Sequence, residues 1–351
     1  MTDINKFQSN LTQWYRKESR ELPWRSDPTP YKVWISEMML QQTRVDTVIP
    51  YFLRFIAEIP TVQALAQVEE GKLLKLWQGL GYYNRALHLK KAAGLIIENF
   101  NGQIPSETEE LQSLPGIGAY SAGAIASIAF GKRVPAVDGN VLRIIARITA
   151  NREDIGDAKN KKRIESFVRE LLPLEHAGDF NQALMDLGAG ICLPNGEPKC
   201  PECPINEFCR AYREGLCSEI PVKTSKKERK IEKKTVLVIL YKNRFALRKR
   251  NGGGLLPNLW EFPNVEGALT KEKCRELLPK MGLSAYKITV LKASRHIFTH
   301  LEWHMKGFFI DASEVQNSSD WVWVTKEEIN DQYSIPTAFK EYLKACNQIG
   351  K

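Results

Sequence analysis

Residues 111–140, LQSLPGIGAYSAGAIASIAFGKRVPAVDGN, restrict the fold more than any other segment of this chain. Gly116 and Gly118 lie two positions apart and permit a tight turn that other residues resist. The residues that follow are mostly alanine, glycine and serine, which predicts a helix with little side-chain bulk that another backbone can approach closely. Because a helix N-terminus presents free N–H groups, the turn also predicts a contact with an anion such as phosphate.

A second turn follows the small-residue helix. Pro135 is expected to end that helix, and DGN at 138–140 precedes an apolar segment, VLRII. Asp138 has two interpretations. It is either the N-cap of the next helix, a common role for aspartate in this position, or a carboxylate with a chemical function. This segment alone leaves both open.

The overall composition indicates two domains and a polyanionic partner. A chain of 351 residues is long enough for two domains of ~100–200 residues each. The net charge of +9 favours a polyanion without identifying it. The first ten residues, MTDINKFQSN, lack the apolar region of a signal peptide, and every long apolar run is broken by charge. We therefore expect a cytoplasmic protein that does not contact a membrane.

Residues 1–191 are predicted to form helices joined by short turns. The segment YKVWISEMMLQQT at 31–43 has helical spacing of its apolar residues and contains Glu37 within an otherwise apolar run. A carboxylate in that setting is desolvated, which raises its pKa towards neutrality. The alternative is a solvated glutamate on the outer face of the helix.

Five of the seven cysteines fall between residues 192 and 217. An odd number of cysteines without a secretion signal argues against disulfides. The spacing C-x7-C-x2-C-x5-C at Cys192, Cys200, Cys203 and Cys209 allows either zinc or a four-iron cluster. We favour iron–sulfur because zinc modules usually supply two CxxC-like pairs. Cys217 falls outside this spacing and is not expected to be a ligand.

The chain changes character after a basic segment. Residues 220–234 are predicted to be a linker, in which KTSKKERKIEKK at 223–234 holds seven basic and two acidic residues. This run is either solvated or follows a phosphate backbone. Beyond it we expect an α+β domain with strands at 235–240, 245–250 and 321–324 and helices at 270–281 and 336–347. His296, His300 and His304 lie in a segment rich in β-formers, where residues four apart are separated by ~13 Å, so a shared metal ion is not expected.

Seven motifs together resemble the MutY-type adenine DNA glycosylases. They are LPWR at 22–25, YKVWISEMMLQQT at 31–43, GLGYY at 79–83, LPGIGAYSAGAI at 114–125, VDGN at 137–140, FNQALMDLGAGIC at 180–192 and the cysteine loop. The resemblance implies a mainly α helix-hairpin-helix glycosylase domain over 1–219, with one [4Fe–4S] cluster bound at 192–209. It also implies that residues 235–351 form an α+β Nudix-like domain that recognises 8-oxoguanine.

The resemblance implies hydrolytic removal of adenine mispaired with 8-oxoguanine or guanine in double-stranded DNA, by a monomer that is nucleoid-associated in a bacterial cell. Cleaving an N-glycosidic bond needs one acid at the base and one carboxylate at the developing oxocarbenium ion. By matching position, Glu37 protonates adenine at N7 and Asp138 stabilises or covalently traps the sugar cation. Asn140 orients this pair, and Tyr120 lies against the sugar. Related bifunctional enzymes of the endonuclease III type have a lysine in place of Tyr120, so a monofunctional enzyme is expected.

Further positions match the family's DNA contacts. The target base must leave the duplex, and a wedge fills the gap. Gln42 and Tyr82 match this wedge, and Thr43 matches a neighbouring DNA contact. The positions around the flipped adenine are Arg20, Trp24, Arg25, Leu40 and Gln182. Gly116 and Gly118 would hold phosphate through backbone N–H groups. Phe298, Thr299 and His300 fall where relatives carry Phe-Ser-His, a loop that probes the oxidised guanine.

Two departures from the family bear on these expectations. Seven residues separate Cys192 from Cys200 where relatives commonly have six, and the prolines and glycine of this segment indicate a loop that absorbs the insertion. Pro279 and Lys280 replace the metal-binding glutamate pair of the Nudix hydrolase signature, which argues against a nucleotide pyrophosphohydrolase.

Two rival functions share the helical scaffold. One is a glycosylase for thymine opposite guanine, and the second is a non-catalytic iron–sulfur DNA-binding protein. Glycosylases of the first kind lack the C-terminal domain, and a protein of the second kind does not need both Glu37 and Asp138. The C-terminal domain and the presence of both Glu37 and Asp138 therefore favour the adenine glycosylase.

Overall fold

The structure is a computed structural model that describes residues 3–224, 228–316 and 321–348. It contains two compact units, one formed by Met1–Gln67 and His88–Lys226 and the other by Val68–Leu87 and Lys227–Lys351. Residues 225–227 of the predicted linker lie outside the described residues. The helices up to residue 213 are α1 (Ile4–Glu18), α2 (Pro30–Leu40), α3 (Val45–Glu58), α4 (Val62–Gln67), α5 (Glu70–Trp77), α6 (Asn84–Phe100), α7 (Thr108–Ser113), α8 (Ala119–Phe130), α9 (Gly139–Thr149), α10 (Ala158–Leu171), α11 (Ala177–Gly190) and α12 (Arg210–Arg213).

In its described residues the first unit is built from helices, with short 3₁₀ turns at Cys200–Glu202 and Asn206–Phe208 and one isolated β-bridge. Its core joins α1, α9, α10 and α11 through fully buried side chains such as Phe7, Leu11, Phe180 and Leu184. α2 packs against α8, and α11 packs against α8 and α9. These contacts bring the starts of α8 and α9 close to α2.

The small residues of α8 permit close backbone approach, as the sequence predicts. A Cβ on Gly123 would lie 2.1 Å from the carbonyl oxygen of Pro135, so the chain before α9 could not occupy its place if this residue were larger. A Cβ on Gly178 of α11 would lie 2.6 Å from the carbonyl oxygen of Ser127 on α8. α8 is therefore the helix around which this part of the unit is packed.

The prediction that Pro135 ends α8 is wrong. The helix ends at Phe130, and Gly131 follows in the left-handed conformation with φ +67°. The N–H of Gly131 donates to the carbonyl oxygen of Ala126, which completes a common glycine helix end. Residues 132–137 continue as an irregular segment that leads to Asp138.

The second unit contains a seven-stranded sheet. Its strands are β1 (Lys230–Tyr241), β2 (Arg244–Lys249), β3 (Trp260–Glu261), β4 (Asn264–Glu266), β5 (Leu283–Ile297), β6 (Leu301–Val315) and β7 (Val322–Val324). The order is β3-β2-β1-β6-β5, with β4 paired to β1 and β7 paired to β2. β1 and β6 are parallel, whereas the other pairs are antiparallel.

Helices cover both faces of this sheet. α13 (Lys271–Leu277) lies with Cys274 and Leu278 in one core, and α14 (Lys326–Asp331) and α15 (Lys340–Gln348) contribute Ile329 and Tyr342 to the other. The predicted strands and helices of this region are confirmed. The predicted linker at 220–234 is too long at its C-terminal end. β1 begins at Lys230, because residues 230–234 pair in register with residues 301–305 of β6.

Residues 68–87 belong to the second unit. Lys75 Nζ on α5 donates to the carbonyl oxygens of Ile329, at 3.4 Å, and Tyr333, at 3.2 Å. Gln78 Nε2 donates to the carbonyl oxygen of Ile335 at 3.1 Å. This segment carries the GLGYY motif, so Tyr82 is positioned by the second unit.

Within the described ranges, no helix combines the length and the apolar character needed to cross a membrane.

Candidate active site and cysteine loop

Glu37 lies on α2 with its side chain buried. Its exposed fraction is 5%, and its Oε2 has no hydrogen-bond partner among the described residues. Burial raises the pKa of Glu37 to about 7, Tyr120 opposes this rise through a hydrogen bond, and the nearby Asp138 adds to it. The predicted desolvation is confirmed, and the solvated alternative is excluded. Glu37 is a carboxyl that keeps its proton close to neutral pH.

Asp138 is the N-cap of α9. Its Oδ1 accepts hydrogen bonds from the backbone N–H groups of Asn140, at 2.9 Å, and Val141, at 2.8 Å. Its Oδ2 accepts from Asn140 Nδ2 at 2.9 Å. The N-cap interpretation is confirmed. Burial raises the pKa of Asp138 above its ordinary value, while the hydrogen bonds from Val141 and Asn140 at the helix start favour the ionised form and oppose this rise.

Tyr120 lies beside both carboxyl groups. Burial raises the pKa of Tyr120 well above its ordinary value, and the charges of Glu37 and Asp138 raise it further. Its hydroxyl lies 3.7 Å from Met185 Sδ. The hydroxyl therefore keeps its proton and can donate a hydrogen bond within this group.

Asn140 is held by a second layer of contacts. Arg143 Nη2 donates to Asn140 Oδ1 at 2.9 Å and to the carbonyl oxygen of Gly188 at 2.8 Å. Gly188 permits this arrangement because a Cβ there would lie 2.5 Å from Asn140 Cβ. Arg143 Nε donates to the carbonyl oxygen of Cys192 at 2.9 Å. The side chain that supports Asp138 is thus connected to the start of the cysteine loop.

These side chains surround one cavity of about 180 Å³. Ten of the predicted site residues line it: Arg20, Trp24, Arg25, Glu37, Leu40, Thr43, Tyr120, Asp138, Asn140 and Gln182. An open cleft of about 850 Å³ shares Arg20, Arg25 and Gln182 with it. The first unit therefore has an enclosed space, with two carboxyl groups in its wall, next to a wide cleft.

Asp186 is a central residue of this site that the sequence reasoning missed. Its Oδ2 accepts from Arg25 Nη1 at 2.7 Å and its Oδ1 from Arg25 Nη2 at 3.1 Å, while Arg20 Nε donates to Oδ1 at 3.0 Å. Burial raises the pKa of Asp186, but the two guanidinium groups outweigh it and hold that pKa below its ordinary value. Asp186 thus fixes two cations at the cavity wall. Asp186 lies within the FNQALMDLGAGIC motif, and this motif was the signal in the sequence that could have identified it as a site residue.

Three residues of the first unit that are predicted to contact DNA, Gln42, Gly116 and Gly118, lie in or beside turns. Gln42 is exposed and has φ +58°, an unusual conformation for a residue other than glycine. Gly116 has φ +82°, and a Cβ there would lie 2.9 Å from atoms of His88 and Met38, so the turn requires glycine. Gly118 is the N-cap of α8, and as a glycine it has no side chain that could accept hydrogen bonds from the first N–H groups of the helix. None of these three residues lines the enclosed cavity.

The four predicted ligands lie in one compact loop. Cys192 follows α11, Cys200 begins the first 3₁₀ turn, Cys203 ends it, and Cys209 is the N-cap of α12. Backbone hydrogen bonds tie the loop together, with the N–H of Cys203 donating to the carbonyl oxygen of Cys200 at 3.1 Å. All four are free cysteines.

The buried Arg147 supplies a positive charge to this loop. Its Nη1 lies 3.2 Å from Cys192 Sγ and donates to the carbonyl oxygen of Leu193 at 3.0 Å. Burial raises the pKa of Cys200 to about 11 and that of Cys203 to about 12, and neighbouring cysteines add to both shifts. If the four cysteines of this loop are ionised, their thiolates need compensating positive charge, which Arg147 and a bound cationic group can provide.

Comparison with known proteins decides the family. A model of the HhH-GPD superfamily base excision DNA repair protein matches residues 35–173, and a NUDIX domain model matches residues 235–345. Adenine DNA glycosylase of Buchnera aphidicola subsp. Schizaphis graminum is 37% identical over 316 residues, which cover 90% of each chain. The mouse adenine DNA glycosylase is 33% identical over 98% of this chain and 78% of its own.

The chain belongs to the adenine DNA glycosylase family. It is a hydrolase that cleaves DNA N-glycosidic bonds in base excision repair, with an N-terminal helix-hairpin-helix domain and a C-terminal Nudix-like domain. Among solved structures, a thermostable thymine-DNA glycosylase is 28% identical, with a TM-score of 0.54, and covers 60% of this chain and 97% of its own. An endonuclease III structure has a TM-score of 0.52 at 24% identity, a likeness of fold.

In this adenine DNA glycosylase homologue, the second unit brings two predicted DNA contacts together. Tyr82 is exposed with φ +48°, and its hydroxyl lies 3.3 Å from Thr299 Oγ1 in the turn between β5 and β6. Phe298 packs its ring against Trp303, with centroids 4.8 Å apart, whereas Thr299 and His300 are exposed. The threonine hydroxyl and the tyrosine therefore present one polar surface.

Proposed function

We propose that this enzyme removes adenine mispaired with 8-oxoguanine or guanine in double-stranded DNA, as a monofunctional monomer. The observation that carries the proposal is the pairing of two unlike carboxyl groups in the wall of one cavity. Glu37 has an unpartnered oxygen and a pKa of about 7, whereas Asp138 accepts three hydrogen bonds. Pairs of carboxyl groups in different environments commonly divide acid and ionic roles.

The proposed reaction uses Glu37 as the general acid. Glu37 donates its proton to N7 of the flipped adenine, and the electrons of the C1′–N9 bond move onto the departing base. The carboxylate of Asp138 stabilises, or covalently traps, the oxocarbenium ion that forms at C1′. Water then adds to C1′, which breaks the bond to Asp138 if one has formed, and the proton that this water loses restores the protonated Glu37. Asn140 holds Asp138 through the bond from Nδ2, and the Tyr120 hydroxyl lies against the sugar.

The cavity suits an extruded base. Arg20, Trp24, Arg25, Leu40 and Gln182 line the same space as the two carboxyl groups, which supports their proposed positions around the adenine. Gln42 and Tyr82 are proposed to fill the gap that the base leaves in the duplex. Both are exposed and have positive φ, and such strained conformations are found preferentially at functional sites.

Tyr120 is the basis for proposing a monofunctional enzyme. A lysine at this position could form a Schiff base with the sugar, which would cleave the strand. The Tyr120 hydroxyl has a pKa raised well above its ordinary value and remains protonated, so it is not a nucleophile near neutral pH.

Substitution of the two carboxyl groups tests these roles. We expect Glu37→Gln and Asp138→Asn each to lower single-turnover adenine excision by at least about 10²-fold, the usual contribution of a general acid or base, while duplex binding is retained. Glu98→Gln, an exposed residue of α6, is the matched control and should leave excision unchanged. Undiminished excision by either active-site variant would reject its assigned role.

We propose that the second unit recognises 8-oxoguanine through Phe298, Thr299 and His300. The contact between Tyr82 and Thr299 supports a shared surface for Tyr82 and the recognition loop. Thr299→Ala should therefore reduce the preference for adenine opposite 8-oxoguanine over adenine opposite guanine. Thr289→Ala, on the exposed part of β5, is the control. An unchanged preference in Thr299→Ala would contradict the proposal.

We also propose that Cys192, Cys200, Cys203 and Cys209 bind one [4Fe–4S] cluster. The residues fit such a group because four free thiols converge on one loop beside the positive charge of Arg147. Among the described residues, no three His, Cys, Asp or Glu side chains are grouped closely enough to hold a single metal ion. The cluster would hold the loop in its folded path. Purified protein that contains zinc and no iron would contradict this assignment.

The leading alternative is a glycosylase for thymine opposite guanine. The similar thymine-DNA glycosylase matches 60% of this chain, whereas the adenine DNA glycosylase of Buchnera aphidicola matches 90% of it. The additional match includes the Nudix-like unit, which supports adenine as the substrate.

A further inference from the structure

Cys217 is the one cysteine near the loop that the proposed ligand set does not use. Its Sγ lies 3.8 Å from the Sγ of Cys200. Among the hydrogen bonds of the described residues, this is the contact that joins two cysteine sulfurs. The spacing of cysteines along the chain does not show this contact, because the loop folds back after α12.

The segment that carries Cys217 is fixed to the loop. The N–H of Leu216 donates to the carbonyl oxygen of Ala211 at 2.7 Å, and Gly215 turns the chain with φ +70°. Arg147 Nε donates to the carbonyl oxygen of Ile220 at 2.7 Å. Because Arg147 also contacts the sulfur of Cys192, one buried side chain ties the Cys217 segment to the first ligand.

Cys217 also faces the same interior as the proposed ligands. It packs, together with Cys192, Cys203 and Cys209, against the core of the first unit. The thiol is half-buried, as are those of the four proposed ligands.

We propose that Cys217 is a fifth thiol ligand that can replace Cys200 on the iron–sulfur cluster. This inference rests on the proposed cluster. In the exchange, Cys217 releases its thiol proton to water and its sulfur forms a bond to the iron that Cys200 held. The bond from that iron to Cys200 breaks, and the Cys200 sulfur takes up a proton. No electron is transferred, so the exchange needs no oxidant or reductant.

Such an exchange requires little movement. An iron–thiolate bond is about as long as the ~2.3 Å zinc–sulfur bond, so an iron bound to Cys200 lies within a short displacement of a sulfur 3.8 Å from that ligand. The half-buried position of Cys200 leaves that thiol open to chemical modification. A neighbouring thiol would then keep the cluster in place after Cys200 is lost.

The test compares Cys200→Ala, Cys217→Ala and the double variant in the full chain. Iron and sulfide per chain are measured on purified proteins, and cysteines protected from alkylation in the folded state are mapped by mass spectrometry. We expect Cys200→Ala and Cys217→Ala each to retain the wild-type iron content and the double variant to lose it. Cys203→Ala, which has no such neighbouring thiol, should lose iron as a single variant.

The alkylation map tests the exchange directly. Cys217 should be alkylated in the wild type, where Cys200 is the ligand, and protected in Cys200→Ala. The replacement of Cys200 by Cys217 is refuted if the wild type holds iron and Cys200→Ala loses it. It is also refuted if Cys200→Ala keeps its iron while Cys217 remains reactive towards alkylation. If the wild type itself holds no iron, the proposed cluster fails instead. Circular dichroism of each variant checks that loss of iron is not caused by loss of the helical fold.

Discussion

Replacing Glu37 by glutamine removes a buried ionisable group with almost no change in the size of the side chain. The ordinary pKa of glutamate is 4.5, and burial raises that of Glu37 to about 7 in the folded protein. Below pH 4.5 the carboxyl is protonated in the folded and in the unfolded chain, so its ionisation does not affect the free energy of unfolding. Between these two values the unfolded chain releases the proton while the folded protein retains it, so rising pH favours unfolding.

The size of this effect follows from the shift. Each unit of pKa difference corresponds to about 1.4 kcal/mol, so the ionisation of Glu37 lowers the free energy of unfolding by about 3 kcal/mol once the pH exceeds the folded pKa. Glu37→Gln has no such proton to release. The wild type should therefore lose more stability than the variant between about pH 5 and about pH 8, by roughly 2–3 kcal/mol.

The assay is urea unfolding of both proteins across this pH range, followed by tryptophan fluorescence. Trp34 lies fully buried on the same helix as Glu37 and makes the first unit visible to this probe. Glu98→Gln serves as the control, because an exposed glutamate should not change the pH dependence. Parallel stability curves for the wild type and Glu37→Gln would show that Glu37 is not desolvated, and the general-acid role would lose its physical basis.

Three other predictions follow from the same contacts. Gly123→Ala should destabilise the protein by about 3 kcal/mol or more, because the new Cβ would lie 2.1 Å from a backbone oxygen. Gly94→Ala on α6 places its Cβ in free space and should stabilise the protein by about 0.5–1 kcal/mol. Thermal unfolding of the two variants distinguishes these outcomes. Asp186→Asn should slow single-turnover excision by about 10²-fold because Arg25 loses its anchor, and an unchanged rate would contradict the positioning role. The single-turnover rate of the wild type should fall as the pH rises above about 7, where Glu37 loses its proton, and a rate that rises through this range would argue against an acid.

Local sequence was sufficient for several features of the site. The apolar neighbours of Glu37 predicted its burial, which the structure confirms. The DGN turn gave the N-cap role as one of two interpretations of Asp138, and the structure confirms that role. The small residues of α8 predicted a close approach, which occurs at Gly123. In each case the relevant neighbours lie within a few residues along the chain or on the same helical face.

Features that depend on distant contacts were not predictable. Asp186 sits on α11, about 160 residues from the two arginines it binds, and the motif that contains it does not indicate which residues are its partners. The spacing of the cysteines excludes Cys217 from the ligands, because spacing cannot show that the chain folds back onto Cys200. The misplaced end of α8 has a local cause instead, because Gly131 ends the helix before Pro135 is reached.

The central claim is that the carboxyl groups of Glu37 and Asp138 remove adenine from a mispair. Single-turnover excision on three otherwise identical duplexes, with adenine opposite 8-oxoguanine, adenine opposite guanine and thymine opposite guanine, tests it most directly. We predict excision of adenine from both adenine mispairs, fastest opposite 8-oxoguanine, and no release of thymine. Release of thymine without adenine would contradict the proposed function.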